Sequence, residues 1–192
     1  MPPITKIWHC RLKEGQSAES PSFIQLLSEI LEHCSSYTNP DPSSPQMHIM
    51  YQDVNDPAQL LMITGYPSQE LNTEADIGYA KKYLHRLFEY VKHIWLKQLD
   101  CDIASLSLTE SVTVTYGLNP EKWKSDAGAG GWDVWPQTEQ AKKNFNGART
   151  LGEPVQSEDP IWVQVTRTTE NKNDSKYSAE EGNFRLRKVL GR

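Results

Sequence analysis

A chain of 192 residues with net charge −5 has the length for one domain with a real core. It has the wrong sign for nonspecific attraction to nucleic acid or an anionic membrane. No apolar run approaches the roughly 20 residues needed to cross a bilayer. The opening MPPITKIWHC lacks the basic start and apolar stretch of a signal peptide, so a cytoplasmic protein is the expectation. Cys10, Cys34 and Cys101 are odd in number and widely spaced, which argues against a disulfide framework or a zinc ribbon.

Residues 4–13 (ITKIWHCRLK) read as a strand, ended by Glu14 and Gly15. Residues 20–37 read as a helix, with Ser20 at the N-cap, Pro21 at the first helical position, and Phe23, Leu26, Leu27, Ile30, Leu31 and Cys34 at helical spacing. Three prolines then break the chain over 38–46. Two strands follow, 47–54 and 59–66, joined by the turn Asn55-Asp56-Pro57-Ala58. Residues 70–77 suggest a short helix and 78–99 a long one, with Ala80, Leu84, Leu87, Phe88, Val91 and Trp95 as its apolar stripe. Residues 101–117 supply one strand or two short ones.

That order is βαββαβ, an α+β, ferredoxin-like antiparallel sheet with two helices on one face. The strands are apolar on both faces. Ile4, Trp8, Cys10 and Leu12 oppose Ile7, and Leu60 and Met62 oppose Leu61 and Ile63. A sheet with one wet face would alternate. The helices cover one face, so a second copy of the sheet, packed through a two-fold contact, is the economical cover for the other. The chain's own C-terminal third is the rival. Residues 118–160 are rich in Gly, Pro, Asn and Asp, with one short helix suggested at 138–145. Residues 161–169 (IWVQVTRTT) read as a strand. From Glu170 onward the mixture of charge and polar residues suggests a solvated tail. The expected organisation is a ferredoxin-like domain over 1–117, a glycine-rich loop and further strand completing it over 118–170, and a polar tail over 171–192. No internal repeat is visible.

Residues 60–71 (LLMITGYPSQEL) resemble the third strand and following turn of the antibiotic-biosynthesis monooxygenase-like family, in the dimeric α+β barrel superfamily, particularly its fungal members. That family reads tryptophan-x-serine-x-glutamate here, then a histidine. Tyr66, Pro67, Ser68 and Glu70 fit, with Tyr66 in the tryptophan position. No histidine follows: residues 71–75 are Leu, Asn, Thr, Glu and Ala. The opening strand and WLKQLDCDI (95–103) are also similar, and the resemblance spans roughly residues 4–116. It implies a homodimer with sheets face to face and a pocket between each sheet and its helices. Some members oxidise aromatic polyketides with neither metal nor flavin. Others degrade haem, rearrange or decarboxylate substrates, or have no known chemistry.

The stretch GAGGWDVW (128–135) lacks the GxxxxGK[ST] of a phosphate loop and the GxGxxG of a dinucleotide fold. A long glycine-hinged loop carrying Trp132 and Trp135 suggests a lid, with simple packing as the equal alternative. His85 and His93 lie off the apolar stripe of the long helix, which argues against a haem ligand. His9 with Cys10, and His48 with Asp53, are neighbouring metal-ligand types on the strands, but adjacent strand residues face apart; no metal or cofactor is expected. GxSxG is absent. His9 and Tyr51 are the candidates for proton transfer. Trp8, His48, Tyr66, Tyr83 and Trp95 are candidates for lining a pocket, with Trp132 and Trp135 closing it. For each, ordinary placement in an amphipathic strand or helix is the competing reading. The function expected is a small tailoring enzyme of secondary metabolism, acting on an aromatic or polyketide-like substrate by cofactor-independent oxygenation, isomerisation or cyclisation. The alternative is a non-catalytic binding or interaction protein.

Overall fold

The computed structural model describes residues 3–38, 48–124, 128–134, 161–168, 176–178 and 180–191. The order is β1 (Ile4–Leu12), α1 (Pro21–Ser35), β2 (His48–Asp53), β3 (Gln59–Tyr66), α2 (Gln69–Lys82), α3 (Leu84–Tyr90), β4 (Val91–Leu99), β5 (Ser111–Gly117), β6 (Ala129–Trp132), β7 (Trp162–Arg167), β8 (Lys176–Tyr177) and β9 (Gly182–Gly191). All pairings are antiparallel, in the order β4-β1-β3-β2-β9-β5-β7-β6, with β8 added to β9. The α+β class and the βαββαβ start, with helices on one face, are as the sequence indicates.

The first half keeps the ferredoxin-like strand order 4-1-3-2. The second half repeats it. Counting β5, β6, β7 and β9 as first to fourth, their order is again fourth-first-third-second. The seams match as well. β2 pairs β9, and at the other end Leu99 bridges Asp133 while Val134 N–H donates to the Gln98 carbonyl at 2.7 Å. The sheet therefore closes into a barrel within one chain. Its halves share a topology, but among the described residues only the first carries α-helices.

This corrects the cover assigned to the second sheet face. Ile7, Ile49, Leu61 and Ile63 of the first half pack against Val114, Val163, Val165, Phe184 and Leu186 of the second, all at 0–2 % exposure. Each such side chain contributes roughly 1.5–3 kcal/mol by leaving water. The chain's own strands occupy the surface that a second copy was expected to fill, so any dimer must use another face. The outer face of the first half packs on the helices, with Cys10, Met50, Leu60 and Met62 against Phe23, Leu27, Ile30, Leu31 and Leu87.

Two further expectations are corrected. The long helix 78–99 is not one element. α2 ends at Lys82, α3 at Tyr90, and residues 91–99 form β4, the fourth strand expected further on at 101–117. Val91 and Trp95 fit a helical period, but VKHIWLKQL is also β-branched and aromatic, and pairing with β1 decides the matter. A bulge at Ile94 breaks the β1–β4 register between His9 and Cys10. Val91 consequently joins the helix-side core and Trp95 the barrel core, as one extra residue reverses facing. The polar tail is likewise a strand. β9 lies in mid-sheet between β2 and β5, with Phe184 and Leu186 fully buried. GNFRLRKVLG alternates Phe184 and Leu186 with Asn183, Arg185 and Arg187, so period-2 patterning outweighs overall polarity.

The glycine stretch is a strand, not a lid. Residues 129–132 form β6, which closes the barrel. A Cβ on Gly130 would lie 2.1 Å from the Val163 carbonyl oxygen, and one on Gly131 would lie 2.8 Å from Asp100 Oδ1. Gly130 admits a close approach to the β7 backbone, and Gly131 a close approach to the Asp100 and Cys101 side chains beside the seam. Trp135 and the helix suggested at 138–145 lie outside the described residues.

Candidate functional site

The candidate residues divide between the two faces of the sheet. Toward the barrel point His9, Tyr51 and Trp95; toward the helices point Trp8, His48, Tyr66 and Tyr83. Trp132 faces neither space. It stacks edge-on with Trp162, 5.1 Å between ring centroids, on the outside of the second half.

Inside the barrel His9 is 1 % exposed, with its ring 5.0 Å from Trp95 and 4.8 Å from Phe184. Gln59 donates from Nε2 to Asp56 Oδ2 at 3.1 Å, so its Oε1 accepts from His9 Nε2–H at 2.8 Å. Burial lowers the His9 pKa to about 4, and the ring is neutral. Tyr51 donates to the Thr109 carbonyl at 2.9 Å, and burial raises its pKa. Lys97, 1 % exposed, lies over the rings of Trp95 (5.0 Å) and Tyr116 (5.2 Å) and reaches Asp133 Oδ2 at 3.6 Å. Asp133 Oδ1 accepts from Gln98 N–H, so one carboxylate ties Lys97 to the seam. Aromatic and aliphatic side chains fill the space around these groups.

The helix side holds a denser polar cluster. Lys6 pairs with both carboxylate oxygens of Asp76 on α2, at 2.9 and 2.7 Å, with the two side chains 8 % and 16 % exposed. His48, 0 % exposed, lies across β3 from Lys6, since both pair with Thr64. Its ring meets Tyr66 edge-on at 5.4 Å. Its Nε2 is 2.8 Å from Thr38 Oγ1, whose own proton goes to the Ser35 carbonyl at 3.3 Å. With the hydrogen on Nε2, Nδ1 holds a lone pair with no partner among the described residues. Burial, then the charge of Lys6, lowers the His48 pKa to about 3. Cys34 and Thr64 face the Tyr66 hydroxyl, whose pKa burial pushes up; burial also raises Cys34, to about 11. On α2, Asn72 is 1 % exposed and its Oδ1 has no partner among the described residues.

The motif behind the family resemblance has a local job. Ser68 is the N-cap of α2, its hydroxyl accepting from Leu71 N–H at 3.4 Å, and Glu70 supplies acid to the first turn. Both suit a helix N-terminus. Trp8 donates from Nε1 to His93 Nδ1 at 2.7 Å, and Tyr83 is buried in the helix-side core. His85 is exposed on α3, and His93 stands on β4, not on a helix. Sequence reasoning missed Lys6, Asp76, Asn72 and Lys97. The available signal was a lysine on the apolar face shared by Ile4 and Trp8, which demands a buried partner.

No family model and no curated protein matches the chain. Solved structures with similar chain paths include one provisionally named chlorite dismutase (7 % identity, 98 % of this chain and 96 % of that one, TM-score 0.48). Two others carry the provisional name monooxygenase. The one from Fusobacterium nucleatum subsp. nucleatum is 11 % identical, covering 99 % and 94 % at TM-score 0.49. The one from Lactobacillus acidophilus is 9 % identical, covering 100 % and 98 % at TM-score 0.47. Identities this low do not transfer an activity.

Proposed function

We propose that the protein is a small enzyme that takes an aromatic or polyketide-like molecule between α2 and the sheet and removes a proton from it without metal or flavin. The step belongs with tailoring reactions of secondary metabolism of the fungal kind, in the cytoplasm. One observation carries this reading: His48 is buried and neutral, with a ring nitrogen that has no partner among the described residues, and Lys6 faces the same side of the sheet across β3. A neutral imidazole accepts a proton at Nδ1. The anion left on the substrate offsets the burial penalty of the imidazolium, and Lys6 stabilises that anion. The anion then regains its proton at another atom, or closes a ring, or gives an electron to dioxygen.

Entry requires α2 to move. Only Asn72 and Ala75 of this helix are buried. Polar contacts hold it: Lys6 to Asp76, and Gln98 Nε2 to Gln69 Oε1 at 2.9 Å. Elements with few buried apolar contacts open at the lowest cost.

The second reading, a non-catalytic binding or interaction protein, is favoured by the filled barrel, where Gln59 and Thr109 engage His9 and Tyr51. The test is to delete the gene, isolate the accumulating metabolite, and incubate it with pure protein. Wild type turns it over, Tyr51→Phe retains activity, and His48→Gln loses roughly a hundredfold or more, the usual weight of a general base. No turnover by wild type in air or under nitrogen overturns the catalytic reading.

A further inference from the structure

At the far end of β1 from Lys6, about 17 Å along the strand at 3.3 Å per residue, the surface carries a depression of about 560 Å³. That volume suits a small molecule. Pro57 and Ala58 contribute most of its apolar surface, with the edge of Leu12, and Arg11, Lys13, Glu14 and Lys92 carry charge around it. Arg11 and Lys92 are direct cross-strand partners in the β1–β4 ladder. Like charges placed so destabilise a sheet. Asp56 answers one of them, reaching Arg11 at 2.8 Å. Lys92 is exposed and has no carboxylate partner among the described residues. With Arg11 answered by Asp56, Lys13 and Lys92 outnumber Glu14 around the depression, which therefore combines a small apolar floor with an excess of one cation.

We propose that this depression binds a small carboxylate on an apolar body, an aryl or alkyl carboxylic acid, with its carboxylate between Arg11 and Lys92 and its body on Pro57, Ala58 and the edge of Leu12. The site is separate from the cluster under α2 and does not depend on the catalytic reading. It does communicate with the barrel interior. Asp56 also accepts from Gln59 Nε2, and Gln59 Oε1 accepts from His9. A carboxylate that draws Arg11 away from Asp56 changes the first link of that chain.

The test uses the full chain and three probes: 2-naphthoate, 2-naphthalenemethanol and inorganic phosphate, followed by amide chemical shifts and titration calorimetry. Naphthoate binds, with shifts centred on residues 11–18, 57–58 and 92 and affinity falling as salt rises. Arg11→Gln and Lys92→Gln each weaken it about tenfold, the weight of a hydrogen bond to a charged group. Both side chains are exposed, so the variants keep the wild-type melting curve. Equal binding of the alcohol reduces the depression to an apolar groove, and binding of phosphate alone reduces it to a basic patch. Either result, or shifts centred elsewhere, or no binding of any probe, overturns the proposal.

Discussion

Two buried histidines and the half-buried His93 make stability depend on acid. Burial lowers His9 to about 4, His48 to about 3 and His93 to about 4, from an ordinary 6.5. In the unfolded chain they take up protons as pH falls through roughly 6.5; in the folded protein they resist. The unfolded state then binds more protons, so stability is full above about 6.5 and declines as pH falls toward the folded values. By pH 5 the loss is roughly 2 kcal/mol for each fully buried ring. Urea midpoints at pH 7.5 and 5 should differ, and His48→Gln should flatten that difference while leaving part of it to His9 and His93. Identical midpoints in wild type at both values would remove the claim that these rings are held neutral. The histidines were legible in the sequence as titrating groups. Their facing was legible only as parity: Trp8 and His9 had to oppose each other, but which met the helices depended on which face α1 and α2 chose. Lys6 and Asp76 were not legible as a pair, because 70 residues separate them and nothing local to either names its partner.

Among the elements, α1 was legible because its apolar residues fit one period and, past Pro21, its exposed ones are polar. α1 buries Phe23, Leu26, Leu27, Ile30, Leu31 and Cys34 as its spacing requires. Pro21 opens it, although the Ser20 hydroxyl makes no capping bond. β4 was misread because Val91 and Trp95 satisfy both periods, and only its partner β1 separates them. β6 was misread because three glycines carry no strand signal at all. Their role is spatial, and a substitution exposes it. In Gly130→Ala the new Cβ would meet main chain, the Val163 carbonyl at 2.1 Å, which cannot turn aside as a side chain can. β6 must then shift from β7, and the contacts of Asp133 with Gln98 and Lys97 shift with it. The expected cost is about 1–3 kcal/mol, typical of overpacking, read as a lower thermal midpoint. Gly15→Ala is a control of different cause, since its φ of +78° is strained for alanine while nothing lies within 4 Å of the added atom. Hydrogen exchange should separate the two, with faster exchange at 129–134 and 97–100 in Gly130→Ala alone. Unchanged protection there would mean that β6 does not depend on a bare backbone at residue 130.

For the whole molecule, the apolar character of both sheet faces was legible from Ile7, Leu61 and Ile63 against Cys10, Leu60 and Met62. The owner of the opposing layer was not. The second half repeats the strand order of the first, but β6 hides behind its glycines and β9 behind its charges, so the repeat was not visible in the sequence. β9 joins the halves. It pairs β2 on one side and β5 on the other, and it sends Phe184 and Leu186 into the shared core. Ending the chain after Glu181 therefore removes more than a tail. It leaves two strand edges open and takes two fully buried apolar side chains from the barrel, each worth roughly 2–5 kcal/mol when truncated alone. Typical domains have only about 5–15 kcal/mol of total stability, so the shortened protein should not unfold cooperatively, and it should bind a hydrophobic dye that the full chain excludes. The full chain needs no second copy to cover the inner face of its sheet, because its own strands fill it. A truncated chain with the melting curve of the full one would return residues 182–192 to the solvent. It would also reopen the case for a second subunit across the barrel.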